Sequence, residues 1–336
     1  MTYNHSLYII DAMNGFVMQQ TNFPFVCTIV DDASTDGEPE VIKRYLKDNL
    51  DWEDTSVAYE DKREYGQVFF ARHKTNRNCF FAVVLLKENQ FSQNKSKAPF
   101  FEEWADTKYV AICEGDDYWT DSLKLQKQVD YLEANPDCTL TVHAANWLSE
   151  GRIFPYGCQE PSPKDYSTEE LILCGGYFFA TASFVFRREL LLNLPEWRRK
   201  ARVGDYPLQI QAGLLGRVHY LPDIMCVYRY MHEGSWSHDR LRKEKKMSSH
   251  KNMIEWMTLL DEATGHRYQH AIYEMLFPPY NALFNNREVG FWEYVKVVGR
   301  MKPKRYGRLL KDALRMYLTP VYSFLTRWKK PTEHVG

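Results

Sequence analysis

Two periods alternate along the chain. Residues 6–19 repeat apolar side chains at helical spacing, with Ile9, Met13, Phe16 and Val17 on one face. Phe25–Val30 is an unbroken apolar run, read as a strand buried on both faces, and it ends at Asp31-Asp32-Ala33-Ser34-Thr35-Asp36-Gly37. The next helix turns Val41, Ile42, Tyr45, Leu46 and Leu50 inward. Strands follow at Cys79–Leu86 and Tyr109–Cys113, then a helix over 121–134 with Leu125, Val129 and Leu132 inside, ending before Asn135-Pro136. Thr139–His143 is a further strand. Residues 144–166 lack a period and read as a long loop. Ser167 and Glu170 form a capping box for a helix through Leu173. Residues 177–186 and 217–230 look strand-rich, and residues 240–330 look helical with breaks at Pro278, Pro279, Pro303 and Pro320. Alternating strands and helices predict an α/β sandwich with a mostly parallel sheet.

The 336 residues are 44% hydrophobic, enough for a large core in one large or two small domains. The formal net charge of -1 points to no nucleic-acid partner. The charge is uneven, because residues 291–330 hold 11 Lys/Arg against only Glu293 and Asp312. A basic tail of this kind suits an anionic surface such as a membrane. Leu309, Leu310, Leu314, Tyr317, Leu318, Val321 and Phe324 give that tail the pattern of an amphipathic helix, which can lie on a membrane or pack on the preceding domain. The cysteines at 27, 79, 113, 138, 158, 174 and 226 are odd in number and form no Cys-x-x-Cys, the usage of a reducing compartment. No stretch reaches the length of a spanning helix, and no signal peptide is evident.

Chemistry concentrates in acidic clusters. Glu114, Asp116 and Asp117 follow directly on the Tyr109–Cys113 strand. Ligands gather at the carboxyl ends of parallel strands, and clustered carboxylates repel unless a cation sits among them. Mg²⁺ or Mn²⁺ is the natural occupant. Thr120 and Asp121 cap the next helix. The second cluster, Asp31, Asp32 and Asp36, doubles as a turn, with Ser34, Asp36 and Gly37 as turn residues. Asp32, at a strand end, suits a nucleotide's sugar or base. A third acid, Asp205, lies between Gly204 and Tyr206, where a helix N-cap before Pro207 is the bland alternative.

A strand followed by Asp-Asp-Ala-Ser-Thr-Asp-Gly, with Glu-Gly-Asp-Asp-Tyr-Trp-Thr-Asp downstream, resembles the family 2 glycosyltransferases of the GT-A fold, most closely the bacterial surface-polysaccharide type. The resemblance covers residues 1–240, which it implies are the catalytic domain, with residues 241–336 a helical basic extension. It implies an inverting, metal-dependent hexosyltransferase that moves a sugar from a nucleoside diphosphate sugar, UDP-linked by expectation, to a saccharide or lipid-linked acceptor. It assigns Asp31, Asp32, Asp36, Tyr3, Asn4 and Arg229 to the donor, and Glu114, Asp116 and His232 to the metal. Glu114 stands where the family has Asp, so Asp116 is the better ligand. Asp205 becomes the base. The segment 144–166, with Trp147 and Tyr156, and Gly175–Phe186 are expected around the acceptor. Lys74, Asn76 and Arg77 are basic-segment candidates for phosphate, with a solvated loop as the alternative. The family opens with a strand before Thr-Tyr-Asn, and none precedes Thr2-Tyr3-Asn4 here; the expectation is an upstream start or a truncated gene, with weak nucleotide binding. A cytoplasmic enzyme, on the inner face of the membrane if the tail docks there, follows. An inactive scaffold and a nucleotidyltransferase are the competing readings, the latter lacking its Gly-rich phosphate loop.

Overall fold

The computed structural model describes residues 1–93, 95–230 and 243–300, without the side chains of 243–245 and 298. By contacts the chain forms two compact units, residues 1–168, 176–193 and 208–239 in the first, and residues 169–175, 194–207 and 240–336 in the second.

In the first unit, α1 (Ile9–Val17) buries Ile9, Ala12 and Met13, as its spacing requires. Strand β1 (Phe25–Asp31) leads to α2 (Glu38–Asn49), which buries Ile42 and Leu46 and runs into β2 (Leu50–Asp51). Strands β3 (Tyr59–Arg63), β4 (Gly66–His73) and β5 (Cys79–Leu86) complete a sheet ordered β1-β5-β4-β2, with β3 also on β4. Successive side chains face opposite ways along a strand. Ile29 therefore packs with Phe81, Val83 and the α1 and α2 residues, while Val30 packs with Val68, Val84, Phe100 and Trp104 on the other face.

The second sheet contains β6 (Tyr109–Ala111), β7 (Tyr118–Trp119), β8 (Cys138–Ser149), β9 (Arg152–Tyr156), β10 (Lys164–Tyr166), β11 (Val185–Arg187) and β12 (Arg217–Arg229). Its order is β10-β12-β8-β11-β6, with β7 on β12 and β9 on β8. Helix α3 (Lys124–Ala134) packs Leu125 and Leu132 against Cys138, Val185 and Cys226.

Both sheets are mixed rather than mostly parallel. β1–β5 and β8–β12 are parallel, and the other named pairings are antiparallel. Short turns are the reason, since Glu64-Tyr65 and residues 74–78 can join only antiparallel neighbours. The Tyr109–Cys113 run is likewise no doubly buried parallel strand; β6 stops at Ala111, is half-buried, and pairs antiparallel with β11. Residues 144–166 are not one loop. Glu150 and Gly151, both at positive φ, turn β8 into β9. Of residues 177–186, only Val185 and Phe186 lie in a strand.

The second unit is helical: α4 (Thr168–Cys174) from Glu169 on, α5 (Glu196–Lys200), α6 (Asp205–Leu215) up to Pro207, α7 (Lys243–Ala263), α8 (Gln269–Asn285) and α9 (Phe291–Gly299). Trp256 is its hub, with the rings of Trp197 and Tyr206 centred 6.2 Å and 5.4 Å away. Segment 194–207 joins this unit through such packing, so the boundary is not a single cut near 240. Pro278 and Pro279 lie inside α8 and do not end it. Buried Leu276, Phe277, Tyr280, Leu283 and Phe284 hold the helix across the lost backbone donors. Pro303, Pro320 and the tail beyond residue 300 lie outside the described residues.

Candidate active site

The chain leaves β6, turns through Glu114-Gly115-Asp116-Asp117, and enters β7, which pairs Tyr118 with Val227 and Trp119 with Cys226 of β12. Arg229, at the end of β12, clamps this turn. Its backbone N–H donates to Asp117 Oδ1 at 2.9 Å, and its guanidinium donates to the Asp116 carbonyl and the Asp11 carboxylate. The guanidinium also lies 4.8 Å and 4.7 Å from the ring centres of Tyr8 and Tyr118. These contacts make Arg229 an anchor of the acidic turn.

Asp117 is fully buried, and its Oδ2 has no hydrogen-bond partner among the described residues. Burial, then the charges of Asp116 and Glu114, push its carboxyl well above the ordinary carboxylate range. His5 Nε2 stands 3.8 Å from Asp116 Oδ2. The approach is close because residue 115 is glycine. A Cβ there would sit 2.3 Å from Thr2 Oγ1 and 3.0 Å from His5 Nδ1. Gly115 N–H donates to the Met1 carbonyl at 3.2 Å.

The first residues also reach β1. Thr2 bridges Asp31 in parallel, with Thr2 N–H on the Val30 carbonyl and Asp32 N–H on the Thr2 carbonyl. Asp31 is buried, accepts Ser34 N–H through Oδ2, and has no partner for Oδ1 among the described residues. Burial raises its carboxyl above the ordinary range. Asp32 is engaged throughout: Oδ1 accepts Gln90 N–H at 2.6 Å, and Oδ2 accepts Phe91 N–H and the Lys97 ammonium, each at 3.1 Å. Asn4, Asp36 and Glu38 fasten the turn. Asn4 Oδ1 accepts Thr35 N–H, Asp36 accepts the N–H groups of Ser6 and Glu38, and buried Glu38 accepts His5 N–H, the Ser34 hydroxyl and the Thr2 hydroxyl. Burial acts to raise Asp36, but those N–H donors outweigh it and hold the carboxyl low. Tyr3 keeps 44% of its surface exposed beside this turn.

Asp205 belongs to the second unit. It opens α6, next to Tyr206, whose hydroxyl donates to the Ile172 carbonyl, and Pro207 stands in the first turn. Burial pulls the half-buried Arg198 down to about 10, and the Asp205 carboxylate pulls it back up. His232 lies outside the described residues. Lys74, Asn76 and Arg77 sit at the amino end of β5, away from Asp31. Asn76 Nδ2 donates to the Val17 and Gln19 carbonyls, Lys74 to the Asp48 carbonyl, and Arg77 pairs with Asp51. An open pocket of about 630 Å³ lies at that end, lined by Val17, Met18, Gln19, Asn76, Arg77 and Gln126 among others.

The sequence reading passed over His5, Glu38, Lys97 and Lys124. Lys124 is fully buried, donates to Gln128 Oε1 at 2.8 Å, and lies 4.4 Å from the Trp119 ring centre. Its one sequence signal was its place beside the inward Leu125, four residues before Gln128. Glu38 opens α2 one turn before the inward Ile42, where a charged residue reads as a first-turn acid and not as a core position, and His5 and Lys97 lie outside helices and strands, where no period marks an inward position.

Among the described residues, no three His, Cys, Asp or Glu side chains converge as a metal cage. What the turn offers is the Asp116 carboxylate, with His5 Nε2 3.8 Å from its Oδ2, and Glu114 two positions earlier in the same turn. Mg²⁺ and Mn²⁺ bind through one or two carboxylates when substrate phosphates and waters complete the shell, so these residues fit a cation shared with a diphosphate.

The sequence profile of a family described as "Glycosyl transferase family 2" matches residues 1–194. Uncharacterized proteins of Mycobacterium bovis and Mycobacterium tuberculosis are 29% identical over 333 residues, which is 98% of this chain and 82% of theirs.

Proposed function

Because the chain belongs to glycosyl transferase family 2, with a mixed α/β architecture consistent with a GT-A-like fold, we propose that it transfers a hexose from a nucleoside diphosphate sugar to a hydroxyl acceptor with inversion, in cell-surface polysaccharide synthesis. The observation that carries this reading is the clamped acidic turn. Arg229 fixes Asp116 and Asp117 at the carboxyl end of β12, and Thr2 joins that turn to Asp31 at the carboxyl end of β1. The parallel pairs of both sheets thus end at one acidic place, the usual position of a nucleotide site.

In this reading Asp31 and Tyr3 meet the nucleoside. Asp116 and Glu114 would hold Mg²⁺ or Mn²⁺ together with the donor diphosphate, and His5, beside Asp116, and His232 are further candidate ligands. The cation, when bound, neutralises charge developing on the diphosphate. Asp32, Asn4 and Asp36 act on the donor through the backbone they fix, and Arg229 through the acidic turn. The acceptor oxygen bonds to the anomeric carbon as the bond from that carbon to the diphosphate oxygen breaks. The acceptor proton passes to the Asp205 carboxylate, and the nucleoside diphosphate departs with the bonding pair. One base opposite the leaving group gives inversion.

Among the described residues no helix is long and apolar enough to cross a membrane. The basic run over 291–330 supports a peripheral contact with an anionic inner leaflet, where a lipid-linked acceptor would be presented. The test is incubation of the full chain with a panel of nucleotide sugars, with and without Mn²⁺, scoring release of nucleoside diphosphate. Metal-dependent release from one donor is the expected result. No release and no binding across UDP-, GDP-, ADP- and dTDP-sugars overturns the reading.

A further inference from the structure

The carboxyl ends of β8 and β12 carry a row of rings that the donor site does not use. Trp147 pairs with Tyr228 across β8 and β12, and with Phe154 across β8 and β9. Side chains alternate along a strand, so Tyr228 and the following Tyr230 share one face and Arg229 takes the other. The rings touch one after another, with centres 5.9 Å apart for Trp147 and Phe154, 4.5 Å for Trp147 and Tyr230, 6.4 Å for Tyr230 and Tyr228, and 5.4 Å for Tyr228 and Tyr156. One end of the row is rooted in the core, where Tyr156 packs with Trp119, Ala145 and Cys226. The other end opens to solvent at Phe154, which is 40% exposed. Among the described residues, neither the Trp147 indole N–H nor the Tyr230 hydroxyl has a hydrogen-bond partner. The row also adjoins the acidic turn, because Arg229, between Tyr228 and Tyr230, is the residue that clamps it.

We infer that Trp147, Phe154 and Tyr230 form the acceptor subsite and that its ligand is a pyranose ring. The inference rests on the glycosyltransferase reading for its role, and on the rings for its chemistry. One face of a pyranose presents C–H groups that pack on an aromatic face, while its rim presents hydroxyls. Indole and phenol groups match both, with an apolar body and a polar edge. Four of the five rings in the row are Trp or Tyr. A hydrocarbon chain would cover the same rings but leave their N–H and O–H groups buried without partners, which is unfavourable.

The test is saturation-transfer difference NMR on the full chain with UDP present, using methyl glycosides of glucose, galactose, mannose and N-acetylglucosamine. At least one glycoside should receive saturation, concentrated on one ring face. Trp147→Ala should weaken that glycoside about tenfold, the factor that corresponds to ~1.4 kcal/mol. Tyr230→Phe, which removes only the hydroxyl, and Trp147→Phe, which keeps one six-membered ring but loses the N–H and part of the face, should weaken it less, and UDP affinity should stay unchanged in all three. If Trp147→Ala fails to fold by circular dichroism, the two conservative variants decide. Absence of binding by every glycoside overturns the inference, as does a signal that none of the variants alters. It is also overturned if geranyl phosphate, and no glycoside, binds through Trp147. A protein that binds glycosides through Trp147 but no nucleotide sugar overturns the transferase reading and leaves the pyranose site standing.

Discussion

Gly115 sets how near Thr2 and His5 come to the acidic turn, since a methyl group there would overlap the Thr2 side chain. That approach puts His5 beside Asp116, the residue on which the donor reading depends most. Asp116→Ala should lower Mn²⁺-dependent UDP affinity tenfold or more (a loss of about 1.4 kcal/mol or greater) while leaving metal-free binding nearly unchanged, as titration calorimetry would show. Asp205→Asn should cut transfer by on the order of 10²–10⁴ and spare donor binding, the pattern of a lost general base; full turnover in that variant removes Asp205 from the chemistry. Lys124 gives a pH signature. Burial lowers its ammonium from 10.5 to about 8, so the folded chain gives up this proton at a lower pH than the unfolded chain. Its burial cost is full below about pH 8, shrinks as pH rises, and vanishes above the unfolded value. Buried groups such as Cys226 and Tyr220 are shifted upward and act in the opposite sense, so the comparison must be with Lys124→Met. Wild-type stability minus that of the variant should increase by up to about 3 kcal/mol between about pH 7 and about pH 10. Denaturant titrations giving a constant difference would refute this.

Among the elements, the segment 89–97 is held to the end of β1 by one carboxylate. Asp32 binds two of its N–H groups and Lys97, and the Asp32 carbonyl takes the Asn89 amide. Removing this acid strands the half-buried Lys97 ammonium and two backbone donors. Asp32→Ala should therefore cost about 2–4 kcal/mol and speed amide exchange at Gln90 and Phe91. If exchange there is unchanged while UDP affinity collapses, Asp32 is a donor ligand rather than a strut. The β3–β4 hairpin shows a different limit on sequence reading. Its first strand, Tyr-Glu-Asp-Lys-Arg, is exposed at its three central positions and so carries no apolar signal. Its second begins at Gly66, where a Cβ would meet the Leu85 carbonyl at 2.0 Å, a requirement visible only once β5 lies alongside.

For the whole molecule, the proposed donor site draws on both sheets of the first unit. Residues 1–2 touch the ends of β1 and the turn before β7, so order at the acidic turn is coupled to order at Asp31. A nucleotide and a cation that share this site should stabilise the fold jointly. Mn²⁺ with UDP should raise the melting temperature by more than the sum of each alone, with about 2.7 kcal/mol gained at a hundredfold excess over the dissociation constant. Additive shifts in differential scanning fluorimetry would separate the two sites.

The sequence by itself determined the elements with a strong period. α1, β1, α2, β5 and β12 lie close to where the spacing puts them, because one-sided or complete burial leaves its mark on neighbouring residues. It also determined the acidic clusters and the family, whose motifs are contiguous. The tertiary structure decided what depends on residues far apart. Strand direction followed from turns that bring antiparallel neighbours together. The helix through Pro278 and Pro279 followed from packing strong enough to offset lost hydrogen bonds. The division of labour among the acids followed from their partners. Asp32 is taken up by a segment some 60 residues away, whereas Asp31 and Asp117 each keep an oxygen without a partner among the described residues. A carboxylate's charge is written in the sequence, but burial and the donors around it, set by the fold, decide whether that charge is available to a ligand.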